Sequence, residues 1–331
     1  MDAWRLRGDP APALRRAVLT SVPVGAALLL DLEYDQDVAG AIATAAFVAA
    51  FVAFDAPART RVRWQLLFAP ALGAAAALGA LTGRPAVLAV VTLSLVGACG
   101  GYFAAGSPRL AIAGTMLVLA VLLAQGIDPG AGAAGRVFLV GLAGGLLQVA
   151  VGLVALSWDR DREGSERAEQ ARWDRNRLRP ALRAGLAFAP AAALAHLDAF
   201  GDHGYWIPLT VLFVLRPNAV DTRGRIAMRA AGTVAGLLLA TGLAETIGDQ
   251  PVLLALAITV AGAVALAMLA LEYALFTAAV TTFAVLLAES VGTPTLRAVD
   301  ERAVATAIGI AIAACAVLIW PDRRPDPSAP S

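Results

Sequence analysis

Four arginines stand within fourteen positions of this chain, in the stretch RPNAVDTRGRIAMRAAGTVAG (216–236). They are Arg216, Arg223, Arg225 and Arg229, and long runs of Ala, Leu and Val flank them on both sides. A cluster of guanidinium groups raises the local concentration of anions, and rings of arginine select anions in membrane pores. The residue type therefore predicts chemistry with negatively charged solutes.

The spacing within this stretch predicts where two of the arginines point. Four residues follow an i, i+4, i+7, i+11 pattern, which puts them within about 60° of one helix face. They are Arg225, Arg229, Gly232 and Gly236. The two glycines have the GxxxG spacing that brings helix backbones close together, so this face is expected to pack against protein. Arg225 and Arg229 are then candidates for substrate binding. The alternative is that they snorkel to the interface as topological anchors.

Other side chains with possible chemistry are fewer. Glu272 lies at a tight turn between two apolar segments and is the candidate for proton coupling; helix capping or pairing with an arginine is the alternative. Tyr205 and Trp206 could stack on an aromatic solute, or could serve as residues of the interfacial aromatic belt.

Several classes of function are not supported. The sequence has no H-E-x-x-H or G-x-S-x-G motif, and all 26 basic residues are Arg, so a phosphate-binding loop would lack its Lys. His196 and His203 lie near Asp198 and Asp202, but these residue types are expected in an acidic outer turn. We therefore predict no enzymatic activity, no metal, no cofactor and no nucleic-acid partner.

The composition shows which elements must position these residues. Of 331 residues, 59% are hydrophobic and 15% are charged, and the mean hydropathy is +0.72. The apolar residues form blocks long enough to cross about 30 Å of hydrocarbon. We predict an all-α, polytopic membrane protein with about twelve transmembrane helices in the lipid bilayer. The predicted spans lie at 14–31, 37–54, 64–81, 86–105, 109–125, 136–157, 181–200, 204–216, 226–244, 251–271, 273–289 and 301–320.

Charge supports an orientation for these spans. With a cytoplasmic N-terminus, 22 of the 26 arginines fall on the inner side, and the outer turns are acidic. The four arginines of the outer turns would be Arg84, Arg136, Arg297 and Arg302. The even number of spans puts both termini in the cytoplasm.

The two halves of the chain resemble each other. PALRR at 12–16 aligns with PALRA at 180–184, and TRVR at 60–63 aligns with TRGR at 222–225. Six spans per half would make two parallel repeats about an axis along the membrane normal. This alignment offers Arg63 as the first-half counterpart of Arg225. The predicted domains are a first block at 1–158, a polar cytoplasmic linker at 159–180, a second block at 181–321 and a tail at 322–331.

The second half also resembles a known family. GYWIPLTVLFVLRPNAVDTRGRIAMRAAGTVAG (204–236) is similar to the signature of the fusaric acid resistance-like, or aromatic acid exporter, family of bacterial inner-membrane proteins. EYALFTAAVTTFAVLL (272–287) and ERAVATAIGIAIAACAVLIWPD (301–322) resemble its later spans. The residues that carry the first match are Tyr205, Trp206, Thr210, Pro217, Thr222, Arg223, Arg229, Gly232, Thr233 and Gly236. The resemblance covers most of 180–322.

The resemblance implies export of aromatic carboxylates or other organic anions by proton-coupled transport across the inner membrane. The residues expected to meet the substrate are Arg229, Arg225, Arg216, Arg63, Tyr205, Trp206 and Thr210. Two alternatives stay open from the sequence: a passive anion channel, and a non-transporting membrane subunit or assembly component. The substrate, the coupling ion and the oligomeric state are not determined.

Overall fold

The described residues of the protein form α-helices joined by short turns. The computed structural model describes residues 10–34, 37–105, 107–127, 130–156, 177–217, 219–269, 271–290 and 292–320. The helices are α1 Pro10–Tyr34, α2 Asp37–Ala50, α3 Ala58–Thr82, α4 Ala86–Ala104, α5 Pro108–Ile127, α6 Ala134–Leu156, α7 Leu178–Ala195, α8 Trp206–Val214, α9 Ala219–Ile247, α10 Pro251–Met268, α11 Tyr273–Ser290 and α12 Thr295–Ile319. Short 3-10 helices precede α6 and α8, at Ala131–Ala133 and Asp198–His203. Most of the predicted linker and the predicted tail lie outside the described residues.

Local sequence explains where several helices begin. A chain in hydrocarbon must satisfy its backbone groups within the segment, so the runs of Ala, Leu and Val become helical. Proline fixes the start of several helices, because its missing N–H is one that the first turn would leave unpaired in any case. Pro57, Pro85 and Pro294 directly precede α3, α4 and α12, and Pro251 is the first residue of α10.

Nine of the described helices are long and apolar enough to cross a membrane. The all-helical, polytopic prediction agrees with this result, whereas the sequence predicted twelve spans. The three helices outside the nine are α2, α7 and α8. At 1.5 Å per residue, the nine residues of α8 cover about 14 Å, roughly half of the hydrocarbon layer.

Several helices begin before the apolar runs that predicted them. α3 begins at Ala58 rather than at 64, α9 at Ala219 rather than at 226, and α12 at Thr295 rather than at 301. The apolar run marks only the hydrocarbon layer, whereas the helix continues for one or two turns beyond it. This difference corrects the placement of Arg302, which lies two turns inside α12 and not in an outer turn.

The helix pairs that pack together in the first half recur in the second. α3 packs on α5 and α6, as α9 packs on α11 and α12. α2 packs on α6, as α8 packs on α12. The halves join where α4 packs on α7 and where α1 packs on α10.

Close contacts at glycine repeat in the same way. A Cβ atom on Gly236 would collide with the carbonyl oxygen of Ala278, and one on Gly79 would collide with that of Val121; in both cases the partner comes 42 residues after the glycine. A Cβ atom on Gly309 would collide with Thr210, and one on Gly144 with Ala45, each partner 99 residues earlier. The spacing between a glycine and the residue it packs on is therefore equal in the two halves for these two helix contacts.

Candidate functional site

Arg229 on α9 lies wholly inside the protein. Its side chain is 0% exposed, and none of its three guanidinium nitrogens has a hydrogen-bond partner. The guanidinium carbon lies 5.8 Å from the centroid of the Phe213 ring on α8. The neighbouring Tyr273 hydroxyl donates its own hydrogen bond to the Phe213 carbonyl, at 2.9 Å. A buried cation that lacks a paired anion lowers the stability of the folded protein by several kcal/mol, so Arg229 is expected to destabilise the fold.

Arg302 on α12 is a second arginine that is buried and lacks hydrogen-bond partners. It is 0% exposed, and its three guanidinium nitrogens also have no hydrogen-bond partner. Its guanidinium carbon lies 5.2 Å from the centroid of the Trp206 ring on α8. Arg229 is close enough for its charge to act on Arg302. Two buried and unpaired guanidinium groups therefore lie along one side of the short helix α8.

The break after α8 is held by hydrogen bonds from side chains. Arg183 on α7 donates to the carbonyl of Arg216, at 2.8 Å, and to the carbonyl of Pro217. The Arg216 amide donates to the Thr222 hydroxyl, at 3.0 Å. Pro217 keeps the preceding residue out of helical conformation, so α8 must end here. The break turns the chain into α9, which carries Arg225 and Arg229.

Buried hydroxyl groups accompany the two arginines. Thr233 is four residues after Arg229 on α9, and Thr306 is four residues after Arg302 on α12, so each lies one turn away on the same face. Both hydroxyls are buried and have no hydrogen-bond partner. The same is true of two threonine hydroxyls on α11, those of Thr277 and Thr281.

Gly232 and Gly236 bring α9 directly against α11. A Cβ atom on Gly232 would collide with the Ala274 carbonyl oxygen, and one on Gly236 with that of Ala278. The Thr282 hydroxyl on α11 donates to the Gly236 carbonyl, at 3.1 Å. The face of α9 with GxxxG spacing is thus packed on protein.

A chain of contacts reaches Arg302 from the surface. The Arg297 Nε donates to Glu301 Oε1 at 2.7 Å, and Glu301 Oε2 lies 2.6 Å from Nδ1 of His203. The His203 ring stacks on Trp206, with centroids 4.4 Å apart. These contacts hold the Trp206 ring in place beneath Arg302.

Residues 186–316 match the fusaric acid resistance protein-like family. The resemblance predicted from the arginine stretch is confirmed over this segment, which contains α8, α9, α10, α11 and most of α7 and α12. No solved structure matches the chain.

Three relatives match part of the chain. An uncharacterized protein of a Synechocystis species, slr1298, is 36% identical over 137 residues, which is 41% of this chain and 18% of that protein. The inner membrane protein YccS of Escherichia coli is 33% identical over 149 residues, 44% of this chain and 20% of YccS. The uncharacterized protein ORF2 of Neisseria gonorrhoeae is 33% identical over 142 residues, 42% of this chain and 34% of ORF2. The chain therefore matches between about a fifth and a third of the length of these relatives.

The other predicted site residues of the fusaric acid resistance-like segment differ in how deeply they are buried and in which groups they contact. Arg225 is half-buried, with its guanidinium carbon 4.1 Å from the centroid of the Tyr273 ring. Arg216 lies in the loop between α8 and α9. Burial, with the charge of Arg225 as the second cause, lowers the pKa of the Arg216 guanidinium to about 10, so it stays charged at neutral pH. Thr210 is fully buried, and its hydroxyl donates to the Trp206 carbonyl at 3.0 Å.

The geometry places three further residues from the sequence analysis. Trp206 is 2% exposed, too buried for an interfacial belt residue. Glu272 caps α11, because its Oε2 accepts a hydrogen bond from the Leu275 amide; its Oε1 is buried without a hydrogen-bond partner. Arg63 in the first half is exposed, whereas Arg61, two residues earlier, is buried. Arg61 and Arg63 lie on different sides of α3, since residues two apart on a helix point in nearly opposite directions.

A cavity of about 440 Å³ lies between the two halves, where α3, α4 and α5 meet α7 and α8. Its polar lining residues are Arg84, Gln125, His196 and Tyr205. Neither this cavity nor a smaller one of about 50 Å³ beside Arg216 includes Arg225 or Arg229 in its lining. Arg229, at 0% exposed, lies in the protein interior and lines neither of these two cavities.

Arg302 is the functional candidate that sequence reasoning missed. A signal was present, because Arg302, Thr306, Gly309 and Ala313 have the same i, i+4, i+7, i+11 spacing as the arginine–glycine face of α9. The acidic neighbours of Arg302 and its position before an apolar run favoured an outer turn instead. The sequence places His203 near Asp198 and Asp202, whereas the structure pairs it with Glu301.

Proposed function

We propose that the protein is a secondary transporter that exports organic anions, aromatic carboxylates among them, across the bacterial inner membrane and draws on the proton gradient. The observation that carries this proposal is Arg229, a fully buried cation whose guanidinium nitrogens have no hydrogen-bond partner. A carboxylate is the natural partner of such a group, because charge-assisted hydrogen bonds to arginine are strong and often bidentate. The inner membrane is proposed because YccS, a relative, is an inner membrane protein.

The same proposal includes two parallel six-helix repeats with both termini in the cytoplasm. The recurring helix pairs and the equal glycine spacings support the repeats, and the distribution of arginine supports the orientation. The enclosure of Arg229 by protein favours a carrier, which closes around its site, over a permanently open channel.

The test uses the full chain in proteoliposomes with an imposed proton gradient and labelled benzoate as the probe. We expect uphill movement of benzoate, and we expect Arg229→Ala to reduce it at least about tenfold, the loss of one charged hydrogen-bonding group. Arg223→Ala is the matched control, since Arg223 is an exposed residue of the same helix. Downhill movement alone would indicate a channel. Equal transport by wild type and both variants, or no movement of any aromatic acid tested, would overturn the assignment of Arg229.

A further inference from the structure

We propose that Arg229 and Arg302 form one binding site for a solute that carries two acidic groups. This inference rests on the proposed function and names the class of anion that the same transporter prefers. One acidic group would pair with Arg229 and the other with Arg302.

The first step concerns the distance between the two charges. Arg302 lies over Trp206 and Arg229 over Phe213, and these rings are seven residues apart on α8. Seven residues of helix rise about 10 Å, so the guanidinium groups are separated by a distance of that order. One carboxylate, whose hydrogen bonds reach about 3 Å, cannot bind both groups directly. Two acidic groups on one solute can.

The second step concerns the residues between the charges. α9 and α11 run in the same direction, because Gly232 meets Thr277 and Gly236 meets Thr281. α12 runs the opposite way, since its first residue, Thr295, donates a hydrogen bond to Glu289 at the end of α11.

It follows that the turn after Arg229 and the turn after Arg302 approach each other. Thr233 and Thr306, which occupy these turns, therefore lie between the levels of the two arginines. Their hydroxyls are buried and have no hydrogen-bond partner, like those of Thr277 and Thr281 on the adjacent face of α11. Hydroxyl groups can donate to the body of a polar solute that bridges the two arginines.

The third step is electrostatic. Each guanidinium group is fully enclosed, and each adds its repulsion to the other. A single negative charge would leave one cation unpaired in the interior, which is the costly condition. A dianion neutralises both at once, and its second group binds without a further loss of translational freedom.

The experiment measures binding of benzoate and of the three benzenedicarboxylates to the purified full chain by calorimetry. In the wild type we expect at least one dicarboxylate to bind about tenfold or more tightly than benzoate, the value of one added charged hydrogen-bonding pair. Arg302→Gln should abolish this preference, with a loss of dicarboxylate affinity several times larger than any change in benzoate affinity. Arg302→Lys, which keeps the charge, should restore part of the preference. Arg136→Gln, at an exposed position on α6, is the control and should change neither affinity.

The outcomes separate this inference from the proposed function. Benzoate binding that depends on Arg229 with no preference for any dicarboxylate, including binding of two benzoates per chain, would overturn the two-arginine site and leave the transporter proposal standing. A parallel loss of benzoate and dicarboxylate affinity in Arg302→Gln would assign Arg302 a structural role and also overturn it. Absence of binding by all four acids in the wild type would count against both.

Discussion

At Arg229 and Arg302 the chain keeps a charge inside the protein without a hydrogen-bonding partner. Apolar residues of similar volume would be better for stability alone, because desolvating a charge costs several kcal/mol. The first half has apolar residues at the same distance before two closely packed glycines. In the first half, Leu72 and Val137 come seven residues before Gly79 and Gly144. In the second half, Arg229 and Arg302 come seven residues before Gly236 and Gly309.

This comparison gives a second alignment of the two halves beside the one that the sequence predicted. Packing makes Leu72 the counterpart of Arg229, whereas the short motif at 60–63 had made Arg63 the counterpart of Arg225.

Glu272 offers a prediction at the residue scale. Glu272→Gln keeps an acceptor for the Leu275 amide but removes the charge, so thermal stability should stay near that of the wild type. Glu272→Ala removes the cap and should cost about 1 kcal/mol. If Glu272 couples transport to protons, the Gln variant should lose uphill movement of benzoate in proteoliposomes and keep exchange of benzoate across the membrane. Uphill transport by the Gln variant at the wild-type rate would leave Glu272 with a capping role alone.

Among the helices, α8 and α9 determine where the arginines of the candidate site lie. α8 is short and ends at a break that Arg183 and Thr222 hold with hydrogen bonds, and α9 then carries Arg225 and Arg229 past Tyr273 and Phe213. The length of α9 matters here. Because it begins at Ala219, before the apolar run, Arg229 lies in the third turn of the helix.

The contact between α9 and α11 gives a prediction at the scale of elements. Gly232→Leu should destabilise the protein by about 1–3 kcal/mol or more, because a side chain there must separate two backbones. Melting temperature in detergent measures the effect. Gly242→Ala on the same helix is the control, since a Cβ atom at Gly242 meets nothing within 4 Å. A melting temperature for Gly232→Leu equal to that of this control would contradict the close packing.

At the scale of the whole molecule, the two proposed repeats share pairs of packed helices. The halves join through α4 with α7 and α1 with α10, which are equivalent pairs under exchange of the two halves. Both buried, unpartnered guanidinium groups discussed above belong to the fusaric acid resistance-like segment.

The joint between the halves can be tested with a protease site placed between residues 156 and 177 of the full chain. After cleavage, the two fragments should elute together in mild detergent, because α4–α7 and α1–α10 hold them. Gly101→Leu should separate them, since its side chain would collide with Ala184 and the Pro180 carbonyl. Gly135→Leu, at an open position, should not. Fragments that separate without any substitution would show that the joint is weak.

The sequence by itself determined the helical class, the membrane character and the family resemblance, because apolar runs of spanning length and a local arginine–glycine motif carry this information without long-range contacts. It also predicted the inward face of Arg229, since four residues at helical spacing share a face whatever surrounds the helix. The pairing of His203 with Glu301, the burial of Trp206 and the position of Arg302 beside Arg229 were decided only by the tertiary structure. The first joins residues about one hundred positions apart, and the last joins residues about seventy positions apart. The burial of Trp206 depends on which helix covers its side chain. No local sequence pattern specifies such contacts.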